Sequence, residues 1–173
     1  MKNFQNKRPK KDIYIICDNI RSLFNVGAIF RTSDGANVTK IYLTGMTGYP
    51  KQNDPTWTQT QKIAKTSLGA EKSIDWEYIK DPAQIIKELK EKQVHIYALE
   101  NNLAHYQSKN FQNIKYKFPL ALIVGHEVNG ISEQILPLVD DFIELPMYGM
   151  KESLNVSVAF GICIYEIIKN RYK

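Results

Sequence analysis

Short apolar segments alternate with helical patterns along most of this 173-residue chain. Residues 13–17 and 120–124 are apolar at nearly every position, which is typical of strands buried on both faces of a sheet. The other predicted elements are strands at 38–44, 74–79, 94–99 and 142–145 and helices at 24–33, 61–68, 81–92, 132–139 and 154–169. This alternation predicts a single α/β domain with a mostly parallel sheet, whose ligands bind beyond the carboxyl ends of the strands.

The excess positive charge is concentrated at the N-terminus. The chain has 23 basic and 18 acidic residues, and residues 1–11 hold five of the basic ones and no acidic one. The remaining residues, 12–173, are therefore neutral overall. A basic arm can bind a phosphate backbone by releasing counterions, and the alternative is a frayed, solubilising terminus. We separate a basic arm, residues 1–11, from a folded domain, residues 12–173.

Composition excludes several classes of protein. No apolar run reaches the roughly 18 residues that span a bilayer, and no apolar segment follows the charged N-terminus as in a secretory signal. Cys17 and Cys163 lie in separate apolar runs, which favours two buried thiols in a reducing compartment. No cluster of residues has metal-ligand spacing. We expect a cytoplasmic protein that uses no metal.

Three segments place glycines and polar residues beside the predicted strands. The first is Asn25-Val-Gly27-Ala-Ile-Phe-Arg31. Asn25 suits a helix N-cap, and Gly27 permits close approach of another backbone. Arg31 can serve a site or simply extend into solvent.

The second segment, residues 125–130, is Gly-His-Glu-Val-Asn-Gly and directly follows an apolar strand. Two glycines around Glu127 predict a tight turn that presents backbone amides and one acid to a ligand, and an ordinary turn is the alternative. His126 is expected to be a turn residue. The segment lacks both Gly-x-Gly-x-x-Gly and a following lysine, so it is neither a dinucleotide fingerprint nor a Walker loop.

The third segment, residues 145–159, begins Leu-Pro-Met and continues to Ser-Leu-Asn-Val-Ser-Val-Ala. We expect Ser153 to cap the last helix. Asn155 and Ser157 alternate with apolar residues at the start of that helix, so they need polar partners from a ligand or from a neighbouring loop.

In this order, the three segments resemble the SpoU (TrmH-like) family of RNA ribose 2′-O-methyltransferases, in the SPOUT superfamily, over residues 13–172. The resemblance implies a C-terminal trefoil knot, although knots are essentially absent from most folds. It implies S-adenosylmethionine bound by the knot loops, an RNA substrate (tRNA or rRNA) and a homodimer. The predicted last helix, 154–169, is apolar around most of its circumference, so more than one of its sides must be buried. A second subunit could cover one of these sides.

The resemblance also implies roles for individual residues. The family's cofactor positions, which act largely through backbone groups, fall on Leu99, Gly125, Leu145 and Leu154. Its catalytic and substrate positions fall on Asn25, Arg31, Glu127, Ser153 and Asn155. As a permanent cation, Arg31 would hold a neighbouring phosphate and stabilise the developing alkoxide. Glu127 would orient Arg31 or Asn25, Asn155 would fix the catalytic loop, and Ser153 would face the site.

Many members of the family carry an additional N-terminal RNA-binding domain. Here the RNA contacts are assigned to the arm, to a predicted loop at 45–60 and to the dimer surface. Two other functions remain open: a non-catalytic RNA-binding module on the same fold, and a nicotinamide-dependent dehydrogenase, which the missing dinucleotide fingerprint disfavours. The sequence does not identify the RNA or the methylated nucleotide.

Overall fold

The computed structural model describes residues 11–51, 53–101, 103 and 105–172, so residues 1–10 of the basic arm lie outside the described residues. Within the described part of the chain, seven strands form one sheet in the order β3-β2-β1-β6-β4-β7-β5, and every neighbouring pair is parallel. The strands are β1 (Ile13–Asp18), β2 (Lys40–Thr44), β3 (Trp76–Ile79), β4 (His95–Leu99), β5 (Ser108–Asn110), β6 (Leu120–Val124) and β7 (Asp141–Glu144). The predicted α/β domain with a mostly parallel sheet is confirmed.

Helices cover both faces of the sheet. They are α1 (Leu23–Gly35), α2 (Thr58–Ser67), α3 (Ala70–Ser73), α4 (Pro82–Glu91) and α5 (Val156–Arg171), with 3₁₀ turns at Phe111–Asn113 and Glu133–Leu138. In β6, Leu122 packs into the core beneath α1 and α5, whereas Ala121 and Ile123 pack into the core beneath α4. Burial on both faces explains why the central strands are apolar at nearly every position.

Several boundaries differ from the sequence-based prediction. The predicted helix at 132–139 is a 3₁₀ turn that contains Pro137, whose ring and missing N–H oppose a regular α-helix. The prediction missed β5 because its residues are polar, and among the described strands this edge strand pairs with β7 alone. The strands predicted at 38–44 and 74–79 each begin two residues later, and α2 begins three residues earlier than predicted.

The N-caps of two helices are also corrected. Ser22, rather than Asn25, caps α1 by accepting a hydrogen bond from the amide of Asn25. Asn155, rather than Ser153, caps α5 and accepts from the amide of Ser157 at 2.9 Å. Asn25 thus lies in the first turn of α1 with its side chain free to make contacts outside its own helix.

Asp81 caps α4 and Pro82 occupies its first turn, as predicted. Cys17 and Cys163 are buried and are not joined by a disulfide. Among the helices described, none combines the length and the apolar character that crossing a membrane requires.

Candidate active site

A cavity of about 230 Å³ lies beyond the carboxyl ends of β4, β6 and β7. Its walls come from the segments that follow these three strands and from the start of α5. Six of the nine residues singled out from the sequence line it: Leu99, Gly125, Glu127, Leu145, Ser153 and Leu154. The other three residues, Asn25, Arg31 and Asn155, lie outside its lining.

The turn that follows β6 closes tightly on itself. His126 and Gly130 exchange two backbone hydrogen bonds of 3.0 Å, and the His126 ring nitrogen Nδ1 accepts from the amides of Val128 and Asn129. A Cβ atom on Gly125 would lie 2.5 Å from the backbone of Gly130 and Ile131, so only glycine fits there. His126 is therefore a turn residue in this structure, and the wall of the cavity at Gly125 consists of backbone.

Glu127 connects this turn to the start of α1. Its carboxylate accepts from the Asn25 side-chain amide and the Ser22 backbone amide, both at 3.0 Å, and from the Arg21 amide at 3.3 Å. Burial opposes ionisation of Glu127, but the hydrogen bonds to the carboxylate outweigh it and hold its pKa below the ordinary value. A carboxylate at this helix N-terminus also meets the positive end of the helix dipole.

A second contact extends this network to α5. The Asn155 Nδ2 group donates to Asn25 Oδ1 at 3.2 Å, while Asn155 Oδ1 accepts from both the amide and the hydroxyl of Ser157. Asn25 therefore connects Glu127 to Asn155. Members of all three sequence segments meet here, although they are separated by 102 and 130 residues.

Arg31 and Ser153 are placed differently from these residues. Arg31 is exposed on α1, six residues after Asn25, which corresponds to about 9 Å along a helix. It forms no ion pair with any described residue, and of the two partners predicted for Glu127, the structure shows Asn25 only. Ser153 is exposed at the rim of the cavity.

Among the cavity residues that sequence reasoning missed are two polar ones outside the three segments, Glu100 and Asn101. They directly follow β4, and two polar residues at the end of an apolar strand were the signal that could have identified them. Burial raises the pKa of Glu100, although hydrogen bonds from the amides of Ile131 and Asn101 oppose this effect.

The composition of the cavity wall restricts its ligand. Three carboxylate side chains, Glu100, Glu127 and Glu152, line the cavity, and no lysine or arginine is among the described residues of its lining. Apolar side chains form much of the remaining wall: Leu99, Val124, Leu145, Leu154, Val156 and Ala159. Such a site fits a ligand with an apolar or aromatic body and a positive charge. In the part of the chain that the structure describes, no three metal-ligating side chains form a cluster.

The fold and the site together define an α/β protein whose candidate ligand site is a cavity at the carboxyl ends of parallel strands. Residues 12–165 match the model of the SpoU rRNA Methylase family. The chain belongs to this family, and the sequence resemblance is confirmed.

Two curated relatives are similar over nearly the whole chain. The tRNA (guanosine(18)-2′-O)-methyltransferase of Aquifex aeolicus is 33% identical over 165 residues, which cover 95% of this chain and 72% of the relative. The enzyme of the same name from Thermus thermophilus is 31% identical over 170 residues, which cover 96% of this chain and 79% of that relative.

Solved structures of SpoU enzymes have a similar fold over most of this chain. The A. aeolicus TrmH/SpoU tRNA modifying enzyme superposes with a TM-score of 0.79 over 96% of this chain and 78% of that one, at 33% identity. The SpoU methyltransferase AviRb from Streptomyces viridochromogenes, 19% identical, has a TM-score of 0.79 over 95% of this chain and 62% of its own. At that identity the second structure supports the fold alone.

Proposed function

We propose that this protein transfers a methyl group from S-adenosylmethionine to a ribose 2′-hydroxyl of RNA, with tRNA or rRNA as the substrate. One observation carries the proposal: all four expected cofactor positions line one cavity, whose rim adjoins the Glu127–Asn25–Asn155 network. The relatives described above are named as tRNA 2′-O-methyltransferases.

The residues of the cavity fit this cofactor. Its apolar wall suits an adenosine, and its carboxylates suit a sulfonium and an ammonium group. S-adenosylmethionine supplies a methyl group that is already activated by its sulfonium. The protein must therefore position the hydroxyl and ease the loss of its proton.

Arg31 is the proposed catalytic cation. Because guanidinium stays protonated, Arg31 would hold the phosphate next to the target ribose and stabilise the developing alkoxide, while that phosphate or water takes the proton. Glu127, Asn25 and Asn155 would fix the position of α1 relative to the cavity and thereby aim Arg31. Ser153 would contact substrate at the rim.

We also infer a trefoil knot in the C-terminal part of a methyltransferase domain that spans residues 12–173, with residues 1–11 as a separate basic arm. This inference rests on the resemblance to the family, whose model matches residues 12–165. A cytoplasmic location fits an enzyme that acts on tRNA or rRNA and has two reduced, buried cysteines.

A direct assay tests the proposed function. We expect the purified protein to bind S-adenosylmethionine in calorimetry and to transfer its labelled methyl group to unmodified tRNA or rRNA. RNA binding without cofactor binding would instead favour the non-catalytic module. Mapping the riboses that lose resistance to alkaline cleavage in a deletion strain would identify the substrate.

The proposed RNA contacts include the segment at 45–60. Its start is anchored to the end of β1, because the Thr47 hydroxyl accepts from the Ile20 amide and donates to the Cys17 carbonyl, both at 2.9 Å. Further along, exposed Lys51 has its ammonium 4.5 Å from the centroid of the Trp57 ring. A cation next to an aromatic ring suits contact with a phosphate and a base.

Deletion of residues 1–11 tests the role of the arm. Because five positive charges are lost, we expect weaker RNA binding. The slope of log affinity against log salt concentration should become less steep by up to about 4. The melting temperature and the affinity for the cofactor should not change. Unchanged RNA affinity at low salt would show that the arm is only a solubilising terminus.

The exposed side of α5 supports the proposed homodimer. Val158, Ile162 and Tyr165 follow Leu154 along one side of the helix, and these four residues are 40% to 55% exposed. Phe24, on the neighbouring α1, is 49% exposed. A row of large apolar side chains on a packed helix is typical of a protein interface, and a second copy of this chain is the proposed partner.

Charge on this surface should separate the subunits. The 20.0 kDa chain should sediment as a species of about 40 kDa at micromolar concentration, and a Val158→Glu, Ile162→Glu variant should sediment near the monomer mass. The control is Lys87→Glu, at an exposed position of α4 on the opposite face of the sheet, which should leave the dimer intact. A fully active wild-type monomer would contradict the prediction.

A further inference from the structure

The residues that follow β4 occupy a special position in the sheet. β4 is hydrogen-bonded to β6 on one side and to β7 on the other. The segments after β6 and β7 carry Gly125 and Leu145, two of the expected cofactor positions. Glu100 and Asn101, immediately after β4, therefore lie between the two loops that must shape the cofactor cavity.

Glu100 binds the loop on the β6 side. Its Oε2 atom accepts from the amide of Ile131 at 2.9 Å, and its Oε1 atom accepts from the amide of Asn101 at 3.1 Å. Gly130 has a φ of +67°, and a Cβ atom there would lie 2.9 Å from the Glu100 carboxyl carbon. The carboxylate is thus packed directly against the end of the Gly125–Gly130 turn.

Asn101 binds the loop on the β7 side. Its Oδ1 atom accepts from the amide of Leu145 at 3.1 Å, and its Nδ2 group donates to the Leu145 carbonyl at 3.0 Å. The same Nδ2 group also donates to the carbonyl of Glu152 at 3.3 Å. One side chain therefore pairs with both backbone groups of Leu145 and joins the two ends of the segment from Leu145 to Glu152.

We propose that Glu100 and Asn101 are positioning residues for the cofactor. Glu100 holds the β6 loop, Asn101 holds the β7 loop, and together they set the affinity for S-adenosylmethionine. Because the hydrogen bonds found for these two side chains go to the two loops and not to Arg31 or to the Glu127–Asn25–Asn155 network, the rate of the chemical step at saturating cofactor is independent of them. This inference rests on the proposed function.

Two near-isosteric substitutions test it. Asn101→Asp keeps the acceptor for the Leu145 amide but removes the donor and places a negative charge against two carbonyl oxygens. Glu100→Gln keeps the shape of the side chain but removes the charge that accepts from Ile131. For each variant we expect the Kd and the KM for S-adenosylmethionine to rise by about tenfold or more. The kcat at saturating cofactor and the affinity for RNA should stay within about twofold of wild type.

A pH series provides a further readout. Protonation would turn the carboxyl introduced at position 101 into a donor, so cofactor binding by Asn101→Asp should recover relative to wild type as the pH falls towards 5.

The matched control is Asn110→Asp. Asn110 caps the 3₁₀ turn Phe111–Asn113 by accepting from the Gln112 amide at 3.0 Å, a task that aspartate performs equally well.

The outcomes separate this inference from the proposed function. Folded Asn101→Asp and Glu100→Gln variants that bind S-adenosylmethionine as tightly as wild type would overturn the inference alone. A wild-type protein that binds no S-adenosylmethionine would overturn the proposed function as well. If Asn101→Asp does not fold, Glu100→Gln decides by the same measurements, and a loss of kcat with unchanged KM would also overturn the inference.

Discussion

Replacing Arg31 by alanine should reduce methyl transfer by at least about 100-fold and leave the affinity for S-adenosylmethionine within about twofold of wild type. Arg31 is exposed on α1 and is not part of the cavity wall, so its loss removes a charge from the substrate side without altering the cofactor site. Single-turnover rates and calorimetry measure the two effects separately.

Two further variants sharpen this test. Arg31→Lys should also be severely impaired, because a compact ammonium cannot reproduce the planar, forked contact of a guanidinium with phosphate. Lys87→Ala removes an exposed cation from α4, on the opposite face of the sheet, and should behave as wild type. Turnover near the wild-type rate in Arg31→Ala would refute the assignment of Arg31.

Replacing Gly27 by alanine should destabilise the protein by about 1–3 kcal/mol and lower its melting temperature by several degrees. A Cβ atom at this position would overlap with the Thr66 hydroxyl and the Ile63 carbonyl of α2. The Thr66 hydroxyl also donates to the Phe24 carbonyl at 2.9 Å, so the clash would disturb a hydrogen bond between α1 and α2. Activity should fall as well, since α1 carries Asn25 and Arg31.

The matched control is Gly161→Ala in α5. Among the described residues, a Cβ atom on Gly161 would meet only the methyl group of Thr32, at 4.0 Å, which is an ordinary contact. Alanine is favoured over glycine inside a helix by roughly 0.5–1 kcal/mol, so this variant should melt at the same temperature as wild type or higher. Equal melting temperatures for Gly27→Ala and wild type would contradict the proposed close approach of α1 and α2.

The sequence predicted the elements whose signals are local. Continuous apolar runs identified β1 and β6, and Asp81 followed by Pro82 marked the start of α4. The interpretation of Gly27 as a point of close backbone approach also agrees with the structure. β5 was missed because its residues, Ser108–Asn110, are polar, and its partner β7 is distant in sequence.

The caps of α1 and α5 show where local rules become ambiguous. Asn25 and Ser153 both have side chains that can cap a helix, but so do Ser22 and Asn155, and local sequence does not rank them. In the structure, the Asn25 side chain forms hydrogen bonds with Glu127 and Asn155 instead of capping α1. These partners are 102 and 130 residues away, so tertiary contacts decide between candidates that the sequence presents as equal.

The sequence by itself determined most of the strands and helices, and the resemblance named the residues that could bind the cofactor and the RNA. Only the tertiary structure decided that β4 lies between β6 and β7, and hence that Glu100 and Asn101 reach both cofactor loops. The physical reason is that apolar periodicity reports whether each residue is buried. The neighbour of each strand depends instead on the free energy of the whole sheet, to which every strand and every chain connection contributes.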